Sequence, residues 1–303
     1  MRKLIHLFIL SLLAAGVAAQ SDVQYTHYMF NKLNYNPGYT GAKGSFDALA
    51  LYRNQWSGID GAPRTIHVNA HTPFAGKRNG MGIAITSDEI GKVSNNAIDM
   101  SYAYRLKLGE SSTLSLGVSG RIEQLRIKWS QSNPLDEDDP EVPQGDETAF
   151  APNFGTGAYF LGKNYFFGVS VPRLLRNGLY QDRTDKTDNR RTAYVMGGFR
   201  TSLTRTVDLL PSAMVSYNVA APVDVDLNLN VLFLNTFWVG GNYRLGDSFD
   251  GVAGVEFNNG MRLGVGYDFT HSELNQVTSG SWEIMLGYTF KCKSCEVSHL
   301  RFF

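Results

Sequence analysis

"VDVDLNLNVLF", residues 223–233, decides the fold. Val223, Val225, Leu227, Leu229, Val231 and Phe233 alternate with Asp224, Asp226, Asn228 and Asn230, so a strand here carries one apolar and one polar face. The stripe recurs in "MRLGVGYDF", where Leu263, Val265, Tyr267 and Phe269 oppose Arg262, Gly264, Gly266 and Asp268. "SWEIMLGYTF" sets Trp282, Ile284, Leu286, Tyr288 and Phe290 against Glu283, Met285, Gly287 and Thr289. Each run is roughly 9–11 residues, the length a tilted strand needs to cross a bilayer, whereas strands of soluble sheets average about 5–6. The pattern predicts an all-β, transmembrane antiparallel barrel.

Fourteen such segments centre on 45–55, 64–74, 80–87, 96–107, 112–128, 149–161, 164–171, 191–201, 206–218, 223–233, 236–245, 248–257, 261–269 and 281–290. An even count suits a bacterial barrel. Short connections, "GESS" at 109–112, "LGKN" at 161–164 and "NNG" at 258–260, follow even-numbered segments. The long ones, 129–148, 172–190 and 270–280, follow odd-numbered segments. That sorting predicts periplasmic turns, external loops and both termini in the periplasm. Tyr52, Trp56, Trp129, Tyr180, Trp238, Trp282 and Phe290 lie near strand ends, where aromatic girdles meet lipid headgroups.

Residues 1–19 read as a secretory signal: Arg2 and Lys3, then "LIHLFILSLLAAGVAA", then small residues to Ala19 and cleavage before Gln20. No later stretch reaches the ~18 apolar residues of a spanning helix. The expected division is a signal at 1–19, an N-terminal periplasmic or plug segment at 20–44, a barrel at 45–290 and a periplasmic tail at 291–303. With 28 basic and 28 acidic residues, the chain lacks the electrostatic footprint of a nucleic-acid binder.

Residues with chemical potential read blandly. His67 and His71 in "RTIHVNAHTPF" share the polar face with Asn69, about 13 Å apart at the rise of a strand, which reads as lumen lining. In "KCKSCEVSHLRFF", Cys292, Cys295 and His299 fall short of the usual four ligands of structural zinc, and Glu296 stands where haem attachment needs histidine. A local Cys292–Cys295 disulfide is the expectation in an oxidising envelope. The acidic run 136–147, "DEDDPEVPQGDE", lacks the ligand order of a calcium loop and reads as solvated. His271 with Ser272 has no supporting motif, and no Gly-x-Ser-x-Gly elbow, Walker loop or His-Glu-x-x-His occurs. No enzymatic activity, metal or cofactor is expected.

The stretch before the barrel is different. "SDVQYTHYMFNKLNYNPGYTGA", residues 21–42, is rich in aromatics with no period of two or 3.6. Left in water it would be an unprotected apolar patch. It is expected to pack as a plug in the lumen, as a cover on the lower mouth, or against a partner, with Asn36-Pro37-Gly38 supplying a turn.

This region also resembles the PorP/SprF family, membrane proteins of the type IX secretion and gliding system of Bacteroidota. The resemblance rests on Gln24, Tyr28 and Asn31; on Asn36, Pro37, Tyr39 and Gly41; on Arg53, Gln55 and Trp56; and on Gly61, Ala62 and Pro63. The ending "LRFF" is similar to the family's aromatic C-terminus. Gly38, where alanine is commoner, and the Cys-x-x-Cys tail depart from the pattern. The match is specific over 24–74 and architectural elsewhere. It implies a non-enzymatic outer-membrane barrel, surrounded by lipid, that supports secretion and surface attachment of a large adhesin-like cargo with a type IX C-terminal signal domain. It also implies contacts with the periplasmic ring of the machine and its peptidoglycan-associated partner, and those motif residues as docking candidates.

Two other readings compete. A channel for a small solute would use a lumen lined by Asp224, Asp226, Asn228, Asn230, Arg262, Asp268 and Glu283. A soluble exported β-protein would instead stay in the aqueous phase on detergent extraction.

Overall fold

The computed structural model describes residues 23–131, 143, 145–175, 191–218, 222–271 and 277–290. The signal, Tyr180, Ser272, most of the acidic run, Cys292, Cys295 and the tail lie outside the described residues. Fourteen antiparallel strands close into a barrel. In chain order they are β1 Asp47–Asn54, β2 Arg64–Phe74, β3 Asn79–Ile90, β4 Val93–Lys107, β5 Thr113–Ile127, β6 Glu147–Leu161 and β7 Tyr165–Val171. There follow β8 Thr192–Phe199, β9 Val207–Asn218, β10 Asp224–Phe233, β11 Phe237–Arg244, β12 Ser248–Glu256, β13 Met261–Thr270 and β14 Ser281–Thr289. A short continuation of β8, Thr201–Ser202, pairs with β9 beyond Arg200, whose N–H turns away to the Asn164 carbonyl. Strand β1 pairs with β14, Asp47 opposite Thr289 and Asn54 opposite Trp282, so the sheet has no free edge.

The alternation has the polarity of a membrane barrel. Leu227, Leu229, Leu263, Val265, Ile284 and Leu286 face outward and exposed, while Asp226, Asn228, Asn230, Arg262, Asp268 and Glu283 are buried inside. No helix among the described residues is long and apolar enough to cross a membrane. The wall crosses as strands, each hydrogen-bonded to a neighbour on either side.

Three details differ from the sequence expectations. Strand β3 extends to Ile90 and joins β4 through two residues, because Ser87, Asp88 and Glu89 pair with Asn96, Asn95 and Ser94. Apart from the Ile90–Val93 pair that hairpin tip is polar on both faces, so an apolar stripe could not reveal it. Trp238 is no girdle residue: it points inward, 1% exposed, with its ring over Gly254 and packed on Phe30 at 5.2 Å. Strand β1 departs from the usual polarity at its middle, burying Leu49 and Leu51 toward the lumen between Asp47 and Arg53, because an apolar segment lies against them.

Candidate functional site

That segment is residues 23–43. Tyr25, Tyr28, Met29, Tyr35 and Tyr39 are buried, and so are Thr26, His27, Asn31, Asn36 and Thr40. Their partners come from all round the wall. Asn69 on β2 donates to Asn31, the Thr40 hydroxyl reaches Ser101 on β4, and Asn242 on β11 donates to the Thr26 carbonyl. Tyr35 packs edge-on against Tyr194 of β8 at 5.2 Å and accepts from Ser170 of β7 through its carbonyl. A run that touches opposite strands of a closed wall lies inside it.

The run also crosses the lumen from one mouth to the other. Gly41, with φ +74°, sits by the short-turn end: its N–H donates to His71 Nδ1 at 3.1 Å, its carbonyl accepts from Arg105, and its Cα side abuts Gly80. At the long-loop end Gln24 donates to Asp224, the first residue of β10, and Thr26 Oγ1 donates to Asp268 near the end of β13 at 2.7 Å. The expected placement of both termini on one side therefore describes the strand ends, Asp47 and Thr289, and not residue 23, which lies at the opposite mouth. Along the way the run is turned repeatedly: hydrogen-bonded turns at 26–30 and 40–43 flank an α-helical one at Lys32–Tyr35 and a 3-10 one at Pro37–Tyr39. An epitope inserted before residue 23 is expected to react together with one in the 132–142 loop and apart from one at 109–112. Reaction together with the 109–112 epitope would refute the threading.

Asn36 joins the two turns to the wall. Its Oδ1 accepts from the Gly38 N–H at 2.8 Å, and its Nδ2 donates to the carbonyls of Ala158 (3.0 Å) and Val169 (3.3 Å). Those residues face each other across β6 and β7, so one amide clamps a cross-strand pair. Glycine makes the approach possible: a Cβ on Gly157 would meet Asn36 Oδ1, and one on Gly117 would meet the Pro37 backbone. Lys32, 2% exposed, donates to the Met29 carbonyl, with its amino nitrogen 4.7 Å from the Phe166 ring centre and 5.5 Å from that of Tyr39.

Charge is concentrated near the two ends. Near the long loops, Arg53 on β1 bonds Asp268 Oδ2 and Thr26 Oγ1, each at 2.6 Å. Glu283 accepts from the N–H groups of Thr26 (3.1 Å) and His27 (2.8 Å) and meets His27 Nδ1 at 2.7 Å. Arg244 pairs with Asp226 at 2.9 Å. Near the short turns, Asp47 gathers Arg262 (2.6 Å), Lys43 (3.0 Å) and Thr289 (2.5 Å). Asp47 and Arg53 are six residues apart on β1, roughly 20 Å along a strand. Buried pairs of this kind specify one arrangement more than they add net stability, since each ion loses its hydration.

The family-motif residues divide in two. Gln24, Tyr28, Asn31, Asn36, Pro37, Tyr39, Gly41 and Arg53 come together in the lumen; Tyr28 donates to the Asp226 carbonyl at 3.5 Å and Tyr39 packs on His71 and Tyr159. Gln55, Trp56, Gly61, Ala62 and Pro63 form the β1–β2 loop at the long-loop rim. There Gln55 donates to the Pro63 carbonyl, Trp56 (φ 52°) donates to Ser281 Oγ, Ala62 donates to the Ile59 carbonyl and the Gly61 carbonyl accepts from Gly91. His67 bonds Thr86 and Asn69, and His271, at the rim, bonds the Asp247 carbonyl. At the same rim, the Ser130 hydroxyl and then Arg126 hold the Asp146 carboxyl below its usual range. Sequence reasoning missed Lys43, Asp47 and Arg244. Arg244 shares the inward face with Asn242, so parity could have found it.

A closed, lipid-facing strand wall around an internal segment defines an outer-membrane β-barrel protein. The family model described as "Type IX secretion system membrane protein PorP/SprF" matches residues 17–288. The chain belongs to that family. Among solved structures it is similar to the Ralstonia pickettii toluene transporter TbuX, at 11% identity over 92% of this chain and 96% of that one, with a TM-score of 0.53. A Pseudomonas aeruginosa FadL homologue matches at 10% identity over 92% and 97% of the two chains, with a TM-score of 0.47. At these identities the likeness is one of fold. No curated protein sequence matches the chain.

Proposed function

We propose that this barrel docks or anchors a large secreted surface protein at the outer membrane. Its signal is removed, its short turns face the periplasm and its long loops face out. The observation that carries this reading is the filled lumen. Each side chain that a solute channel would use is engaged within the protein: Asp224 by Gln24, Asp226 by Arg244, Asn230 by Asn228 and Asn228 by Asn242. Arg262 is held by Asp47, Asp268 by Arg53 and Glu283 by His27. With these groups already partnered, the two rims are the surfaces left for partners, and family membership supplies the class of partner. In this reading the cargo carries a type IX C-terminal signal domain and meets the long-loop rim, while the periplasmic ring and its peptidoglycan-associated component meet the short-turn rim.

The test is a mild-detergent pull-down of the tagged protein from its own outer membrane. A large surface protein is expected to come down with it and to leave the cell surface when the gene is deleted. Wild-type abundance of every surface protein in the deletion strain would overturn the proposal.

A further inference from the structure

The two rims differ in charge. Among the described residues, the exposed ionisable side chains at the short-turn end are Lys77, Arg78, Lys107, Lys163 and Arg205 against a single acid, Glu110. Asp47, Asp208 and Glu256, near the same end, are buried, and Asp208 is paired with Arg200. Among the described residues of the long-loop end the exposed charges balance: Asp60, Glu89, Asp146 and Glu147 stand against Arg64, Lys92, Arg126 and Arg191. The cations of the short-turn end lie on or beside four successive turns, β2–β3, β4–β5, β6–β7 and β8–β9. The turns at 234–236 and 257–260 carry none. The excess is a crescent along half of the rim.

We infer that this crescent binds the phosphate-bearing headgroups of anionic glycerophospholipids. Its continuity with the lipid-facing belt argues for lipid over an acidic protein. Each cation lies a few residues from an exposed, outward aromatic: Phe74 before Lys77 and Arg78, Tyr104 before Lys107, Tyr165 after Lys163, and Phe199 before Arg205. Aromatic rings sit at headgroup depth, so cations just beyond them on the same turns meet the phosphates. Lysine and arginine stems lie along the apolar surface while their heads reach the anionic layer. Anionic surfaces attract such residues additively over a Debye length, which a crescent tracking the perimeter exploits. Placing these lipids in the periplasmic leaflet rests on the orientation proposed above; binding itself does not.

The experiment titrates the detergent-purified full chain with phosphatidylglycerol and, separately, phosphatidylcholine, counting bound lipids by native mass spectrometry. Neutralising the crescent (Lys77→Gln, Arg78→Gln, Lys107→Gln, Lys163→Gln and Arg205→Gln) is expected to weaken phosphatidylglycerol binding about tenfold or more and to leave phosphatidylcholine unchanged. A control at the other rim, Arg64→Gln, Lys92→Gln, Arg126→Gln and Arg191→Gln, is expected to bind both lipids like the wild type. Equal phosphatidylglycerol binding by the crescent variant overturns the inference. So does an acidic periplasmic protein that co-purifies with the wild type and is lost from the variant while lipid binding is unchanged. If the epitope at 109–112 proved to lie outside the cell, the orientation would fail while the lipid titration still decided the crescent.

Discussion

A chain lacking residues 23–43 is expected to conduct ions in a planar bilayer where the intact protein does not. A fourteen-stranded wall encloses a lumen wider than its own side chains fill. Here the missing volume is supplied by Tyr25, Tyr28, Met29, Phe30, Leu33, Tyr35 and Tyr39, all buried. Removing them leaves an inward face of Asp, Asn, Arg and Glu that water and ions can occupy. The wall keeps its own pairs, Arg53–Asp268, Arg244–Asp226 and Arg262–Asp47, so closure need not fail. It does lose cover over Leu49, Leu51, Tyr159 and Trp238, and exposing each large apolar side chain costs about 1.5–3 kcal/mol. The shortened barrel is therefore also expected to unfold at lower temperature. If it migrates as a folded barrel on gels and still shows no conductance, the long loops and not the N-terminal segment close the pore.

Glu283→Ala is expected to be the most damaging single substitution in the barrel. Glu283 is 1% exposed and binds the Thr26 and His27 N–H groups, His27 Nδ1 and, at 3.6 Å, Arg53. Truncation orphans two buried backbone donors and unbalances Arg53. Breaking a buried ionic network from one side costs about 3–5 kcal/mol, and stranded N–H groups add to it. Glu283→Gln keeps the shape and one acceptor and should lose less. The exposed Lys128–Glu89 pair is the control, since surface pairs contribute little. Denaturant unfolding in detergent, followed by the loss of heat-modifiable migration, reads all three. A Glu283→Ala protein as stable as the control variant would mean that residues 26 and 27 are not anchored at this mouth.

Several features were legible without coordinates. Alternation in 223–233, 261–269 and 281–290 specified strands, and their length specified a bilayer, because side chains on a strand repeat every two residues regardless of what surrounds them. Loop-length sorting and even strand count followed from the same local signal. The aromatic stretch 21–42 announced by its composition alone that it must be covered.

What covers it was settled only in three dimensions. No local signal places Asn36 against carbonyls 158 and 169, or Gln24 against Asp224, because those contacts join residues more than 100 positions apart once the wall has closed. The same closure explains why Leu49 and Leu51 face inward on a stripe that lipid would otherwise claim, and why Trp238 leaves the girdle for Phe30. Sequence determined a strand barrel whose inner face is polar, since hydrophobic periodicity is a property of neighbours along the chain. Tertiary structure decided that this polar face pairs largely within the wall and is covered by residues 23–43, since burial and charge pairing depend on what the closed wall encloses.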